Sequence, residues 1–372
     1  MNSKHKLLFL IPTLETGGSQ KVLSILLNNI SLEKYDISLA VLTHTGVFYD
    51  SIPKRIKKID LGISRVRFSA YKVYKTIKQL SPDVVFVFDV NNLSLIVSVL
   101  TFFLPEKIKF ITRESTIISV FINRYPVFKN VIKVLYKYTF RRFDKIVCQA
   151  NYMKQDLVDN FGVNGDKIIV INNPLETDRI THLSLGSKKL FDSNAYNIIA
   201  VGRFVRAKGF DRLIEAFSLV KMPNIHLTII GDATPEDLGC AEEIMNKVKF
   251  HNLNEKISFV GFKENPYEYM AQADLLVMTS HYEGFPNVAI EANILGTPVM
   301  AFNCPGGIRE IIDDGVNGCL IENNDIHQLA SAIDRVSKIS TDRKCITWHA
   351  KEKYDIAKII PQYENIISEL IA

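Results

Sequence analysis

The sequence predicts an α/β protein built of two doubly wound, parallel-sheet domains in tandem. Three observations predict this. The chain has 372 residues, too many for one ordinary domain and enough for two of roughly 150–200 residues. Short apolar runs alternate with amphipathic stretches, the pattern of βαβ units. That alternation runs twice, separated by the polar, turn-rich stretch Asn172–Asn194, which reads as a linker.

In the first series, strands are expected at Lys6–Ile11, Ile37–Thr43, Asp83–Phe88, Ile108–Thr112, Lys145–Cys148 and Lys167–Ile171. Helical spacing lies between them at Gln20–Ile30, Val66–Leu80, Tyr125–Phe143 and Met153–Phe161. In the second series, strands are expected at Asn197–Val201, His226–Ile230, Ile257–Val260, Leu275–Thr279, Val299–Phe302 and Cys319–Ile321. The helices there are Phe210–Val220, Pro235–Phe250, Pro266–Ala273, Val288–Leu295 and Ile326–Ile339, followed by helical patterns at 342–354 and 357–371. The last has an apolar face in Ile359, Ile360, Tyr363, Ile366, Ile367 and Leu370. Domains are therefore expected at 1–185 and 186–345, with 346–372 returning to the first. A ligand cleft is expected between the domains, at the C-terminal ends of the strands.

Composition narrows the class. Apolar residues make up 47% and charged residues 23%, which suits a folded, water-soluble chain. The five cysteines are scattered, with no paired or metal-binding spacing, and read as free thiols of a reducing cytoplasm. Lys6–Ile11 is too short for the apolar centre of a secretory signal. Leu93–Leu104 is too short to span a bilayer, and reads as a buried helix. Residues 1–180 carry 26 Lys and Arg against 15 Asp and Glu, a net +11, whereas the remainder is net −6. The basic half suggests an anionic surface or substrate. No zinc finger, RNA-binding signature or aromatic-interleaved basic patch is present, so nucleic acid is not the expected partner.

The chemistry-bearing residues lie at strand-to-helix junctions. Glu283 falls in the loop after Leu275–Thr279, shaped by Gly284 and Pro286, with Phe285 between them. Asn287 is a candidate N-cap, and Glu291 falls in the first turn of the following helix. Carboxylates at the top of an open sheet suit sugar and ribose hydroxyls. The plainer reading is a solvated Glu283 and a Glu291 that only complements the helix dipole. Arg203 and Lys208, between Gly202 and Gly209, suit a diphosphate, or are ordinary loop charges. Gly17-Gly18, Gly231-Asp232 and Gly306-Gly307 each end or follow a strand and could offer backbone N–H groups to anions. The ETGGS segment at Gly17-Gly18 makes neither a Rossmann dinucleotide fingerprint nor a phosphate loop, which counts against a dehydrogenase or an NTPase.

On these motifs the chain resembles family 4 of the retaining glycosyltransferases, which have the GT-B fold. The motifs are Glu283-x7-Glu291, VGR…KG at 201–209, the GGSQ segment near the N-terminus, and GTPV…CPGGIREII…NG at 296–318. The resemblance implies a nucleotide-sugar donor and no metal, and no Asp-x-Asp metal motif is present. It implies that Arg203 and Lys208 bind the donor diphosphate and that Glu291 holds the ribose. Glu283, with the backbone of Gly284, Phe285 and Pro286, would hold the donor sugar. Gly18 would approach the diphosphate from the other domain. The loop Gly261–Lys263, with Phe262, would meet the base. Family members often carry a histidine after the strand equivalent to Ile108–Thr112. This chain has Arg113-Glu114-Ser115 instead. Arg113 is a candidate for neutralising phosphate, and Glu114 for orienting the acceptor hydroxyl.

The acceptor is read from Tyr125–Phe143. Lys129, Lys133, Lys137 and Arg141 form one stripe beside an apolar side of Val127, Val131, Val134, Leu135 and Tyr138. Such a helix suits an anionic membrane, or else is packed on a core with a solvated basic face. With the basic first half, it favours a lipid-diphosphate-linked saccharide as acceptor. The expected enzyme is cytoplasmic, peripheral at the inner membrane face, and uses UDP-linked hexose or N-acetylhexosamine. The resemblance points to O-antigen or capsule assembly. A nucleotide-sugar epimerase would instead interconvert free donor without acceptor. A catalytically silent donor-binding subunit would bind donor and make no product.

Overall fold

The computed structural model describes residues 4–15, 17–88, 93–123, 126–186, 188–234, 237–336 and 342–372. The chain divides into two compact units. One comprises Met1–Leu175 together with Ile356–Ala372, and the other Glu176–Asp355.

The first unit is built on strands β1 (His5–Ile11), β2 (Tyr35–Val41), β3 (Lys57–Asp60), β4 (Val84–Phe88), β5 (Lys109–Arg113), β6 (Lys145–Cys148) and β7 (Ile168–Val170). They form a sheet in the order β3-β2-β1-β4-β5-β6-β7, parallel throughout. The helices are α1 (Gly18–Asn29), α2 (Ala70–Leu80), α3 (Leu93–Leu100), α4 (Ile118–Ile122), α5 (Lys129–Thr139) and α6 (Asn151–Phe161). Leu7, Phe9 and Ile11 alternate along β1 onto one face and join the core with Val22, Leu23 and Leu26 of α1. Helices α2, α3, α5 and α6 pack side by side in series. Strand β3 escapes the periodicity because it is a short edge strand, with two of its four residues exposed.

The second unit begins with α7 (Thr177–Leu183) and then alternates β8 (Tyr196–Val201), α8 (Phe210–Ser218), β9 (Ile225–Ile230), α9 (Leu238–Phe250), β10 (Ile257–Phe259), α10 (Tyr267–Gln272), β11 (Leu275–Met278), α11 (Asn287–Ile294), β12 (Val299–Phe302), α12 (Ile308–Ile311), β13 (Gly318–Ile321), α13 (Ile326–Val336) and α14 (Arg343–Tyr354). Its sheet runs β10-β9-β8-β11-β12-β13. The last helix, α15 (Ile356–Ile371), returns to the first unit and buries Ile359, Ile360, Tyr363, Ile366 and Ile367 in that unit's core. Apart from β3, the strands and the two parallel sheets are as the sequence predicts.

Several expectations change. The expected boundaries at 185 and 345 lie ten residues from the divisions at 175/176 and 355/356. α7 sits in what reads as linker and joins the second unit, where it packs on α10 and α11. α14 packs on α11 and stays in the second unit as well. The stretch Leu93–Leu104 is helical only to Leu100 and then forms a 3-10 turn, Thr101–Phe103. One side buries Leu93 and Val97, but Phe102 and Phe103 are exposed, so it is not a buried helix. The expected helix Tyr125–Phe143 is shorter, and Tyr125 lies outside the described residues. So do Pro235 and residues 337–339, at the ends of two other expected helices.

Candidate functional site

In the second sheet the chain moves outward from β8 through β9 to β10, then returns to place β11 on the other side of β8. The crevice at such a switch point, beyond the strand C-termini, is where open α/β sheets hold ligands. The segment after β8 carries Gly202, Arg203 and Lys208. The segment after β11 carries Ser280 and Glu283. The two segments meet directly. Lys208 Nζ lies 2.6 Å from Glu283 Oε1, and Ser280 Oγ donates to the same oxygen at 2.6 Å.

The backbone beneath is tied as tightly. His281 N donates to Ala207 O at 2.8 Å, and Thr279 Oγ1 donates to Gly209 O at 2.8 Å. Arg212 of α8, only 5% exposed, donates through Nη2 to Thr279 O and through Nη1 to Asn324 Oδ1 at 3.2 Å. Its guanidinium lies 4.9 Å from the Phe302 ring centre. On the far side, Glu283 N donates to Pro305 O at 3.0 Å, and Gly307 N to Gly284 O at 3.0 Å. Gly306 makes this approach possible. Its φ is +122°, and a Cβ there would fall 1.5 Å from Glu283 O. Gly231 plays the same part at the end of β9, where a Cβ would fall 1.8 Å from Gly202 O.

Glu291 lies one turn inside α11 rather than in its first turn, and is 6% exposed. Tyr267 OH donates to Glu291 Oε1 at 3.4 Å. Pro286, not Asn287, occupies the N-cap position, and Asn287 is the first helical residue. Phe285 is buried against Tyr354, with ring centres 5.9 Å apart. Arg203 is exposed beyond β8, Phe262 is exposed beyond β10, and Lys263 beside it is half-buried. In the first unit, Gly17, six residues beyond the end of β1, is the N-cap of α1 and Gly18 its first residue.

Electrostatics set apart two neighbours of Glu283. Burial, with the Glu283 carboxylate adding to it, pushes the Cys304 thiol up to about 12. It is therefore an inert thiol at neutral pH. Burial, and then Arg212, hold the His281 imidazole below its ordinary value, so His281 is neutral at pH 7. Among the described residues no three His, Cys, Asp or Glu side chains are grouped to hold a metal ion.

The Arg113-Glu114 pair lies at the end of β5 and is buried. Arg113 is fully buried. Its Nε donates to Tyr363 OH of α15 at 3.0 Å, its Nη2 to Asn173 Oδ1 at 2.5 Å, and its Cζ lies 5.3 Å from the Phe88 ring centre. Glu114, 1% exposed, accepts from Thr112 Oγ1 at 2.9 Å. Both side chains are thus buried within the first unit. Sequence reasoning missed Arg212, Ser280 and Tyr267. Ser280 adjoins the motif and could have been suspected. Arg212 falls outside the apolar period of its helix and gives no such signal.

Two family models match the chain. "Glycosyltransferase Family 4" matches residues 16–179, and "Glycosyl transferases group 1" matches residues 186–353. The chain belongs to family 4 of the GT-B glycosyltransferases, and it is a glycosyltransferase. A Campylobacter jejuni N-acetylgalactosamine-N,N'-diacetylbacillosaminyl-diphospho-undecaprenol 4-alpha-N-acetylgalactosaminyltransferase is 27% identical over 95% of this chain and 97% of its own. The amylovoran biosynthesis glycosyltransferase AmsD of Erwinia amylovora is 23% identical over 98% of this chain and all of its own. Anabaena HepE, solved in complex with UDP-glucose, superposes with a TM-score of 0.82 at 19% identity, covering 98% of this chain and 99% of its own. At that identity the likeness shows the fold.

Proposed function

We propose that this protein is a retaining transferase that moves a hexose or N-acetylhexosamine from UDP to a lipid-diphosphate-linked saccharide during cell-surface polysaccharide assembly. The observation that carries the proposal is the Lys208–Glu283 pair at the β8/β11 switch point. An ammonium beside a carboxylate matches a donor that has an anionic diphosphate next to a hydroxyl-rich ring. Lys208 and Arg203 take the diphosphate. Glu283, freed from Lys208, takes sugar hydroxyls together with the backbone of Gly284, Phe285 and Pro286. Glu291 takes the ribose, and the segment at Phe262 and Lys263 meets the base.

The chemistry follows from charge. As the sugar–phosphate bond breaks, negative charge grows on the departing UDP, and the cations stabilise it more than they stabilise the intact donor. In a retaining reaction the acceptor hydroxyl enters on the face the diphosphate leaves, and the departing phosphate oxygen accepts its proton. Undecaprenyl-diphosphate in the name of the Campylobacter relative supports the acceptor class. The UDP complex of HepE supports the donor.

The test is UDP release across donors, with and without a lipid-linked saccharide. Release is expected with a UDP-sugar and should increase with acceptor. Lys208→Met should lower kcat by about 10²–10³ while changing KM for donor less. Absence of release with every UDP-sugar, or unchanged release from Glu283→Ala, would overturn the reading.

A further inference from the structure

We infer that α5, with the neighbouring 3-10 turn Thr101–Phe103, inserts an apolar ridge into an anionic lipid surface rather than only touching it through charge. The choice of partner rests on the lipid-linked acceptor proposed above. The geometry is independent of it.

An amphipathic helix normally turns its i, i+3, i+4, i+7 apolar stripe to the core. α5 does the reverse. Val131, Val134, Leu135 and Tyr138 occupy that stripe and are 58, 51, 40 and 58% exposed. The side packed on the protein holds Tyr136 and Thr139, both buried. Lys129, Lys133 and Lys137 flank the ridge and are exposed. Helix α3 packs against α5, and beyond it Phe102 and Phe103 are 58 and 69% exposed. Arg142 ties the two together. Its Cζ lies 4.8 Å from the Phe102 ring centre, and its Nε donates to Thr101 Oγ1 at 3.4 Å.

The charge identifies the occupant. From Ser115 to Phe143 the sequence has no Asp or Glu and six Lys or Arg. From Leu61 to Pro82, on and before α2, which packs on the far side of α3, it has none and five. Apart from the Tyr138 hydroxyl the ridge carries no polar group to read a base edge, which sets nucleic acid aside. A second copy of the same chain would set cations against cations. Acyl chains under an anionic headgroup layer match both halves: the ridge enters the boundary and the lysines stay among the phosphates. Among the described residues no helix is long and apolar enough to cross a membrane.

The test uses the full chain and liposomes of phosphatidylcholine with or without phosphatidylglycerol. Flotation should occur only with the anionic vesicles. Val131→Asp with Val134→Asp should weaken it at least about tenfold. Lys129→Gln, Lys133→Gln and Lys137→Gln together should weaken it on the order of a hundredfold. All five positions are exposed, so folding should be unaffected, as circular dichroism would report. Val134→Trp in a Trp348→Phe background should be quenched by brominated acyl chains. UDP release measured without vesicles should be the same in every variant, which separates failure of docking from failure of the donor reading. Equal flotation by the aspartate variant, no quenching, or a dimer in solution that the aspartate variant dissociates would each overturn the insertion.

Discussion

At the scale of single residues, the neighbours of a charge decide what it can do. Lys208 and Glu283 satisfy each other across two loops at 2.6 Å, and both keep some exposure, so a charged ligand can exchange with either. Arg113 is held by Asn173, Tyr363 and Phe88 and is fully buried. It links β5, the segment after β7 and α15. Tyr363→Phe should therefore cost about 1–3 kcal/mol, because it leaves a buried guanidinium N–H without its acceptor. Urea denaturation measures this, and a loss of activity at unchanged stability would contradict the assignment. Gly306→Ala makes a sharper case. The added methyl meets Glu283 O in a left-handed backbone, so Glu283 must move. Stability and UDP release should fall together, whereas an unaffected variant would show that the approach is looser than described.

At the scale of elements, α15 shows how a terminal helix becomes part of a distant core. Its apolar spacing is visible in sequence, and Ile359, Ile360, Tyr363, Ile366 and Ile367 all pack against the first sheet unit. Glu364 reinforces the contact by accepting from Ser31 N at 2.8 Å and pairing with Lys34. Ile367→Ala should cost about 2–5 kcal/mol, the usual result of hollowing a packed site, read as a lower midpoint for the first unit's unfolding. α5 is the opposite case. The same periodicity buries one stripe and exposes another, because periodicity reports that a face is apolar and not what covers it.

For the whole molecule, buried and half-buried thiols and phenols weaken the fold at alkaline pH. Burial raises Cys148 well above its ordinary value, Cys304 and Tyr196 to about 12, and Cys319 to about 11. In each case the folded chain keeps a proton that the unfolded chain releases. The stabilisation is thus complete below the unfolded cysteine value near 9 and is lost as pH rises from there towards 12. Melting temperature should fall progressively above pH 9, and thiol alkylation of the native protein at pH 8 should spare Cys304. Burial lowers His226, so the sign reverses at the acid end. There the unfolded imidazole gains its proton first, and stability falls as pH drops below about 6.5.

The sequence by itself determined the fold class, nearly every strand, and the strand-to-helix junctions that carry Arg203, Lys208 and Glu283. Hydrophobic alternation and turn chemistry are local properties, and the motif around Glu283 and Glu291 is contiguous. It also placed Lys208 and Glu283 in one site through family resemblance. Only the tertiary structure decided that the two touch, that Ser280 and Arg212 brace the segment after β11, and that Arg113 faces inward. It alone decided that the ridge of α5 faces outward. Each of these depends on which segments the sheet order brings together, and a sheet whose neighbours are strands distant in sequence leaves no local trace of that choice.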